Sequence, residues 1–163
     1  MSGILTVTMA QDLLEMDFPA RCQYPVEITQ PMIQAVGVLP LEAYGGYNLT
    51  LVLNDAETIR TLMPVNEGIK ALTDYHGVIV TAPGDDCDFV SRFFTPNAGV
   101  TEDLVTGSTY SSLVPYWSKR LHKKHLSAKQ LSRHGGMLWC VYDGDRVRIS
   151  GNAVLYSQGE ILV

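Results

Sequence analysis

The sequence predicts a mixed α+β domain. Short runs rich in Val, Ile, Leu and Thr recur along the chain, as is typical of β-strands. One longer stretch after Gly107 carries apolar residues at helical spacing. Asp143-Gly144 lies between two apolar runs and is a strong β-hairpin signal. Since no linker or composition shift divides the 163 residues, we expect residues 1–163 to form a single domain.

Eight runs are either continuously apolar or alternate between apolar and polar residues, as strands do. They cover residues 4–9, 13–18, 48–53, 77–81, 88–94, 137–142, 146–150 and 152–157. The first two flank a polar turn at residues 10–12, and we expect them to form a hairpin. The two runs around Asp143-Gly144 form a second expected hairpin.

Two short helices are expected in the first half of the chain. The first covers residues 28–36 and ends at Gly37. The second is capped by Asn54 or Asp55 and runs through Leu62. Its predicted apolar face consists of Ile59, Leu62 and Met63.

The longest predicted helix covers residues 109–121. Its apolar stripe consists of Leu113, Tyr116, Trp117 and Leu121. Pro115 lies inside this helix and has no N–H to donate to the carbonyl of Ser111, so a kink is expected there. We interpret most of the stripe as core.

Composition and charge exclude some function classes. A net charge of −5 argues against nucleic acid as a main partner. The one dense basic run, residues 119–125, is interpreted as the solvated end of a helix, with contact to an anion or a partner as the alternative. No apolar run approaches membrane-spanning length, so no membrane partner is expected and the cytoplasm is the expected location.

The three cysteines, Cys22, Cys87 and Cys140, are widely and irregularly spaced. This spacing matches no metal-ligand pattern, so no metal site is expected. Cys140 lies in an apolar run and is interpreted as a core residue. For each of the three thiols, a catalytic role is the less favoured alternative.

The most informative segment places Glu102 and Asp103 a few residues before Thr106, Gly107 and Ser108. Because this turn opens the longest predicted helix, its free backbone N–H groups can attract a carboxylate or phosphate. Asp103 can carry a proton, and the Ser108 hydroxyl can add a hydrogen bond.

Each of these residues also has a purely structural interpretation. Asp103 is a good helix N-cap, and the Ser108 hydroxyl could do the same. Gly107 suits close approach to a ligand, but a tight turn would also require glycine. Arg92 is more simply explained as an ion-pair partner of Glu102 or Asp103 than as a substrate contact.

Residues 91–108, and above all Glu-Asp-Leu-Val-Thr-Gly-Ser at 102–108, resemble the signature of the phenazine-biosynthesis (PhzF-like) isomerases, which are related in fold to diaminopimelate epimerase. Further similar segments are residues 16–20, 115–117, 130–133, 135–136 and 144–151. The resemblance covers nearly the whole chain but only the second half of the family's length.

The resemblance implies a curved, roll-like β-sheet wrapped around one central helix. Family members have two similar lobes with the active site between them, and the first lobe carries a catalytic glutamate and a Gly-His motif. No histidine of this chain follows a glycine. We therefore expect residues 1–163 to correspond to the C-terminal lobe, one wall of a two-walled site.

For the site, the resemblance implies cofactor-independent proton transfer on a small carboxylated molecule. It implies that Asp103 is catalytic, that Thr106, Gly107 and Ser108 bind substrate, and that Arg92 and Glu102 support them. Two departures stand out. Leu104 replaces the usual proline, which reduces the rigidity of the turn. Tyr110 replaces a frequent histidine, which puts a proton relay through that position in doubt.

Three functional hypotheses follow. The chain is the C-terminal part of an isomerase that needs a first-lobe chain or dimerisation to complete its site. Alternatively, two copies associate as a non-catalytic dimer that binds small anions. The third hypothesis is an inactive fragment of the family.

Overall fold

The computed structural model describes residues 5–10 and 12–160, which contain eleven strands and four helices. The strands are β1 (Thr6–Ala10), β2 (Leu13–Pro19), β3 (Tyr24–Pro25), β4 (Glu42–Gly45), β5 (Leu49–Val52), β6 (Val78–Pro83), β7 (Phe89–Thr95), β8 (Val100–Asp103), β9 (His125–Gln130), β10 (Gly136–Asp143) and β11 (Arg146–Gly151). The helices are α1 (Gln30–Val36), α2 (Ala56–Thr61), α3 (Asn66–Lys70) and α4 (Tyr110–Leu121).

All eleven strands belong to one mixed sheet, which confirms the α+β class. The strand order is β1-β2-β11-β10-β9-β7-β6-β5-β4-β3, and β8 pairs with β7 beside this path. Pairs β5–β6 and β7–β9 are parallel, while the other neighbours are antiparallel. One edge of β7 is shared, because β9 pairs with residues 89–91 and β8 with residues 93–95.

The two faces of β6 and β7 belong to two separate apolar cores, as expected from the two-residue period of a strand. On one face, Val78, Val80 and Phe94 pack with the core that includes buried residues of α1, α2 and α3. On the other face, Ile79 and Phe93 pack with α4 and with strands β9, β10 and β11. These two central strands are therefore buried on both sides.

Helix α4 packs against strands from a wide part of the sheet. Its Leu113 and Trp117 are buried, and the Trp117 indole N–H donates to Thr81 Oγ1 of β6 at 2.9 Å. Its helical conformation continues through Pro115, and the carbonyl of Ser111, which lacks the Pro115 donor, accepts a hydrogen bond from Arg21 N at 2.9 Å. Full wrapping of the sheet around this helix stays a prediction.

Several predicted elements are confirmed. The first and last predicted hairpins are β1–β2 and β10–β11, although Ile4 and Gln11 of the first lie outside the described residues. Asp55 caps α2 by accepting a hydrogen bond from Thr58 N at 2.7 Å. Helix α1 ends at Gly37, whose φ of 77° is in the left-handed region that glycine adopts readily.

Two predictions are wrong. Met63 is 85% exposed, because α2 ends at Thr61 and Leu62 already leaves the helical conformation. Residues 152–157 form no strand in the described structure, since both edges of β11 are already paired, with β2 and with β10. Elements β3, β4, α3, β8 and β9 were not predicted from the sequence. Within the described residues, no helix has the length and hydropathy needed to cross a membrane.

Candidate functional site

Glu102 and Asp103 are the last two residues of β8, a strand not predicted from the sequence. In the register with β7, Glu102 lies opposite Phe94 and Asp103 opposite Phe93. After β8 the chain turns, forms a short 3₁₀ helix at Gly107–Thr109 and continues directly into α4. The two carboxylates and the start of the helix are thus brought to one corner.

Arg92 joins three elements at this corner. Its guanidinium donates two hydrogen bonds to the Glu102 carboxylate, at 2.7 and 3.0 Å. It also donates to the carbonyl of Ile59 at 3.0 Å and to that of Leu62 at 2.8 Å, at the end of α2. The predicted ion pair is present, and its partner is Glu102. With these four bonds formed, Arg92 fixes β8 to α2 and is engaged in structure.

Asp103 is held by its backbone, while its carboxylate is left open. The Asp103 carbonyl accepts a hydrogen bond from Gln130 Nε2 at 2.7 Å. Its side chain is half-buried, and no described residue forms a hydrogen bond or an ion pair with the carboxylate. The N-cap interpretation is wrong, because the N-cap position of the 3₁₀ helix is Thr106, three residues after Asp103.

Thr106, Gly107 and Ser108 form the start of the α4 segment. Thr106 is buried, and its N–H donates to Gln130 Oε1 at 2.9 Å. Gly107 lies against β2, where an added Cβ would meet Met16 Cε at 3.3 Å. Ser108 is exposed and belongs to the first turn, so it does not cap it. The first N–H groups of a helix have no intrahelical acceptor and are free for a ligand.

Residues 130–136 support the turn between β8 and the helix, a role that the sequence analysis did not assign. The Gln130 side chain, 1% exposed, bonds both Asp103 and Thr106. The Ser132 hydroxyl donates to the Leu104 carbonyl. A Cβ on Gly136 would lie 2.7 Å from Val105 Cγ2, so only glycine allows this close approach. Leu126, Ala128 and Gln130 occupy every second position of β9 and therefore lie on the same, buried face of the strand. This two-residue spacing in the sequence could have indicated that Gln130 faces inward.

The family model described as phenazine biosynthesis-like protein (PhzC-PhzF) matches residues 2–159. The chain belongs to this family. An uncharacterized isomerase of Pseudomonas aeruginosa is 47% identical over an alignment of 163 positions. The alignment covers 98% of this chain and 61% of that protein.

Solved structures of the PhzF family confirm the fold. The chain aligns with a PhzF-family protein of Enterococcus faecalis at a TM-score of 0.92 and 42% identity, over 98% of this chain and 61% of that one. A putative PhzC/PhzF protein of Clostridium difficile gives a TM-score of 0.89 and 39% identity, with the same coverage. This PhzF-family chain thus spans 61% of the length of these relatives, more than the half implied by the resemblance.

Tyr110, which replaces a frequent histidine of the PhzF family, is a core residue. It is fully buried, and its hydroxyl lies 3.2 Å from Ser91 Oγ. Burial raises the pKa of the Tyr110 hydroxyl, so it stays protonated at neutral pH. A phenol in this position packs the core and does not exchange protons with the open side of the corner.

The cysteines lie away from the Asp103 corner in sequence and differ in burial. Cys140 is buried in the α4-side core, as predicted, and burial raises the pKa of its thiol to about 12. Burial also raises the pKa of the Cys87 thiol, whose Sγ donates to the Phe89 carbonyl. Both thiols are thus protonated at neutral pH, the opposite of a reactive cysteine. Among the described residues, no group of three or more His, Cys, Asp or Glu side chains is placed to hold a metal ion.

Proposed function

We propose that this PhzF-family chain forms one wall of an isomerase site, in which Asp103 carries a proton and residues 106–108 bind the carboxylate of a small substrate. The relatives named as isomerases support the reaction class. In the proposal the proton is removed from one carbon and delivered elsewhere on the same molecule, without a cofactor. Arg92 and Glu102 have a supporting role, because they fix the strand that ends at Asp103.

The observation that carries this proposal is the contrast within Asp103. Its backbone is fixed by a buried glutamine, whereas its carboxylate is partly exposed and bonded to no described residue. A carboxylate that serves only the fold is normally paired or capping, as Glu102 and Asp55 are. A fixed main chain with a free carboxylate is the arrangement that a proton carrier needs.

The neighbouring helix start supports binding of a carboxylated substrate. The N–H groups of Gly107 and Ser108 stand in the first turn, where the partial positive charge of the helix is concentrated. An anion at such a position gains roughly 0.3–1 kcal/mol when exposed and up to about 2 kcal/mol when partly buried. That is sufficient to orient a carboxylate beside Asp103, while the chemistry requires acid and base groups.

A second wall is part of the proposal. We infer that the chain corresponds to the C-terminal lobe of the family, with its sheet rolled around α4, and that a further lobe supplies the opposing acid or base. The length supports a further lobe, since this chain spans only 61% of the length of the relative from Pseudomonas aeruginosa. Each acid or base group contributes about 10²–10⁴-fold to the rate. This chain without an opposing wall is therefore expected to be nearly inactive.

The proposal is tested by titrating the ¹⁵N-labelled chain with malonate and following backbone amide shifts. We expect saturable shifts at Gly107 and Ser108. Ser108→Ala should weaken binding about 3- to 10-fold, through loss of a hydrogen bond to a charged group. Asp103→Asn should tighten malonate binding, because it removes a negative charge next to the anion.

The opposite responses of the two variants separate the proposed roles. Ser157→Ala, at an exposed serine outside residues 102–108, serves as a control and should not change the affinity. Shifts spread evenly over the chain, or equal affinities for the parent and Ser108→Ala, would contradict carboxylate binding at the helix start. Weaker binding by Asp103→Asn would contradict its assignment as the free carboxylate of the site.

A second candidate function is a dimer that binds small anions without catalysis. The end of the sheet favours it, because β1 is the last strand and exposes Val7 at 57% and Met9 at 71%. Leu104, in the turn after Asp103, is also 52% exposed. Two copies joined along such surfaces would bring two Asp103 corners into one assembly. The third hypothesis, an inactive fragment, predicts neither association nor anion binding.

A further inference from the structure

A groove runs along α4, and its inner end approaches Ser108 of the Asp103 corner. It has a volume of about 660 Å³. We call it the α4 groove and define it by Arg21, Gln23, Tyr44, Tyr116, Lys119 and Tyr142. Its volume falls in the range of small-molecule sites.

Glu42 and Arg120 neutralise one another at the side of the groove. They form an ion pair, and the hydroxyls of Tyr44 and Tyr116 both donate to the Glu42 carboxylate. Burial opposes ionisation of Glu42, but the hydrogen bonds from Tyr44, Arg120 and Tyr116 outweigh it and lower the pKa of this carboxyl. Glu42 is thus ionised, and its charge is already balanced.

Two further cations leave the groove positive. Arg21 and Lys119 line it, and neither forms an ion pair with a described carboxylate. The Arg21 guanidinium instead lies over the Tyr47 ring, 5.3 Å from its centroid. A concave surface with surplus positive charge favours an anionic ligand.

Aromatic side chains supply the apolar part of the groove. The rings of Tyr44 and Tyr116 meet edge to face, with their centroids 5.2 Å apart, and Tyr142 lines the groove as well. Tyrosine rings offer large, rigid contact surfaces that suit a flat ring on a ligand.

The inner end of the groove contains polar atoms that lack a partner. It adjoins a cavity of about 10 Å³, which shares Arg21, Gln23 and Ser112 with the groove and is also lined by Asn48 and by Ser108 of the Asp103 corner. Asn48 is only 8% exposed, and no described donor reaches its Oδ1. Gln23 Oε1 is in the same state, although Gln23 Nε2 donates to Thr50 Oγ1 at 2.6 Å. A space of this size holds one water molecule or one hydroxyl group.

These observations define the ends of a ligand. Ser112, at the inner cavity, and Lys119, at the outer end, are seven residues apart on α4, which is about 10 Å along the helix axis at 1.5 Å per residue. We propose that the α4 groove is a second ligand site, for a small aromatic anion with a hydroxyl or amino group at its far end. The anion pairs with Lys119, the ring lies on Tyr44 and Tyr116, and the far group donates to Asn48 Oδ1. An amino group, which has a second N–H, can also donate to Gln23 Oε1.

The test measures binding of 4-hydroxyphenylacetate and phenylacetate to the full chain by calorimetry. We expect saturable binding of both probes, with the hydroxylated one about 3- to 10-fold tighter, because its O–H donates to the buried Asn48 Oδ1. Lys119→Ala should weaken both probes by a similar factor. Asn48→Ala should abolish the preference for the hydroxylated probe. Asn48→Leu, which keeps the size of the side chain and removes the acceptor, repeats this test if Asn48→Ala does not fold.

Lys124→Ala is the matched control, since Lys124 is an exposed cation outside the groove and its loss should not change the affinity. Asp103→Asn should also leave both affinities unchanged. The test of the groove site can therefore fail while the proposed function of the Asp103 site holds, and the proposed function can fail while the groove binds its ligand. The groove site is overturned if neither probe saturates up to its solubility limit. It is equally overturned if affinity responds to Asp103→Asn and not to Lys119→Ala.

Discussion

The side-chain amide of Gln130 helps to fix the candidate site. This amide accepts from Thr106 N and donates to the Asp103 carbonyl, so it spans the turn that separates the carboxylate from the helix start. Because the side chain is buried, both partners would lose their hydrogen bonds without gaining water if it were removed. A residue that touches no substrate thereby sets the distance between the proposed proton carrier and the proposed anion site.

Replacement of Gln130 by methionine keeps the length of the side chain and removes both hydrogen bonds. We expect Gln130→Met to lower the free energy of unfolding by about 1–3 kcal/mol, measured by urea titration. The Thr106 amide should also exchange its hydrogen faster. Gln34→Met, on the exposed side of α1, is the control and should change stability by less than about 0.5 kcal/mol. Equal effects of the two substitutions would show that the buried amide does not hold the turn.

At the scale of elements, α4 tolerates a proline because a neighbouring segment satisfies the carbonyl that the proline leaves free. The Ser111 carbonyl accepts from Arg21 N, in the loop after β2, instead of from an amide at position 115. This bond also fixes Arg21 at the wall of the α4 groove. The helix interior therefore depends on a residue far away in the sequence.

Pro115→Ala provides an N–H for the second lone pair of the Ser111 carbonyl. Proline costs about 3 kcal/mol relative to alanine inside a helix, and the more flexible unfolded chain offsets up to about 1 kcal/mol of the gain. We expect the free energy of unfolding to rise by roughly 1–2 kcal/mol in urea titration. Pro31→Ala, in the first turn of α1 where proline is well accepted, should not stabilise the protein. A loss of stability in Pro115→Ala would mean that the Arg21 bond excludes a second donor.

Elements with a strong local signal could be predicted from the sequence, and elements defined by distant partners could not. The Asp143-Gly144 hairpin and the Asp55 cap depend on a few adjacent residues, and both are confirmed. By contrast, β8 exists because β7 offers an edge beside β9, which no local pattern reveals. Residues 152–157 show the reverse case, since a strand-like pattern found no free edge on β11.

The same division applies to the candidate site. The local motif located Asp103, Thr106, Gly107 and Ser108, and the structure brings them to one corner. It did not reveal that Gln130 and Gly136 hold this corner. Gln130 lies 24 residues beyond Thr106 and Gly136 lies about 30 residues beyond Val105, so they meet the corner only in the folded sheet. The ion pair of Arg92 was predicted, whereas its two bonds to the end of α2 were not.

At the scale of the whole molecule, the sheet ends on an exposed apolar strand. Among the described residues, strand β1 pairs with β2 alone, and an unpaired strand edge tends to pair with another chain. Beyond β11, Val154, Leu155 and Tyr156 are at least 80% exposed. Exposed apolar surface of this kind is typical of association sites.

If two copies associate through β1, light scattering should give twice the 18.0 kDa chain mass at high concentration. Val7→Glu and Met9→Glu together should lower the dimer fraction, because both introduce charge on the exposed strand. Glu67→Lys, on α3, is a control for changes in surface charge. A measured mass equal to that of the monomer at every concentration would contradict the dimer. It would favour a separate second lobe or an inactive fragment.

The pairing of β2 with β11 determines the order in which the chain can fold. These strands are contributed by opposite ends of the sequence, and Arg146 and Asp17, which form an ion pair across them, are separated by 129 positions. Closing a loop of that length costs roughly 2 kcal/mol more than closing one of about 16 residues. On the ribosome, β2 cannot pair with β11 until the 129 positions from Asp17 to Arg146 have been made. Because Gly107 lies close to Met16 of β2, we expect the corner around Asp103 to be complete only after β2 has joined the sheet.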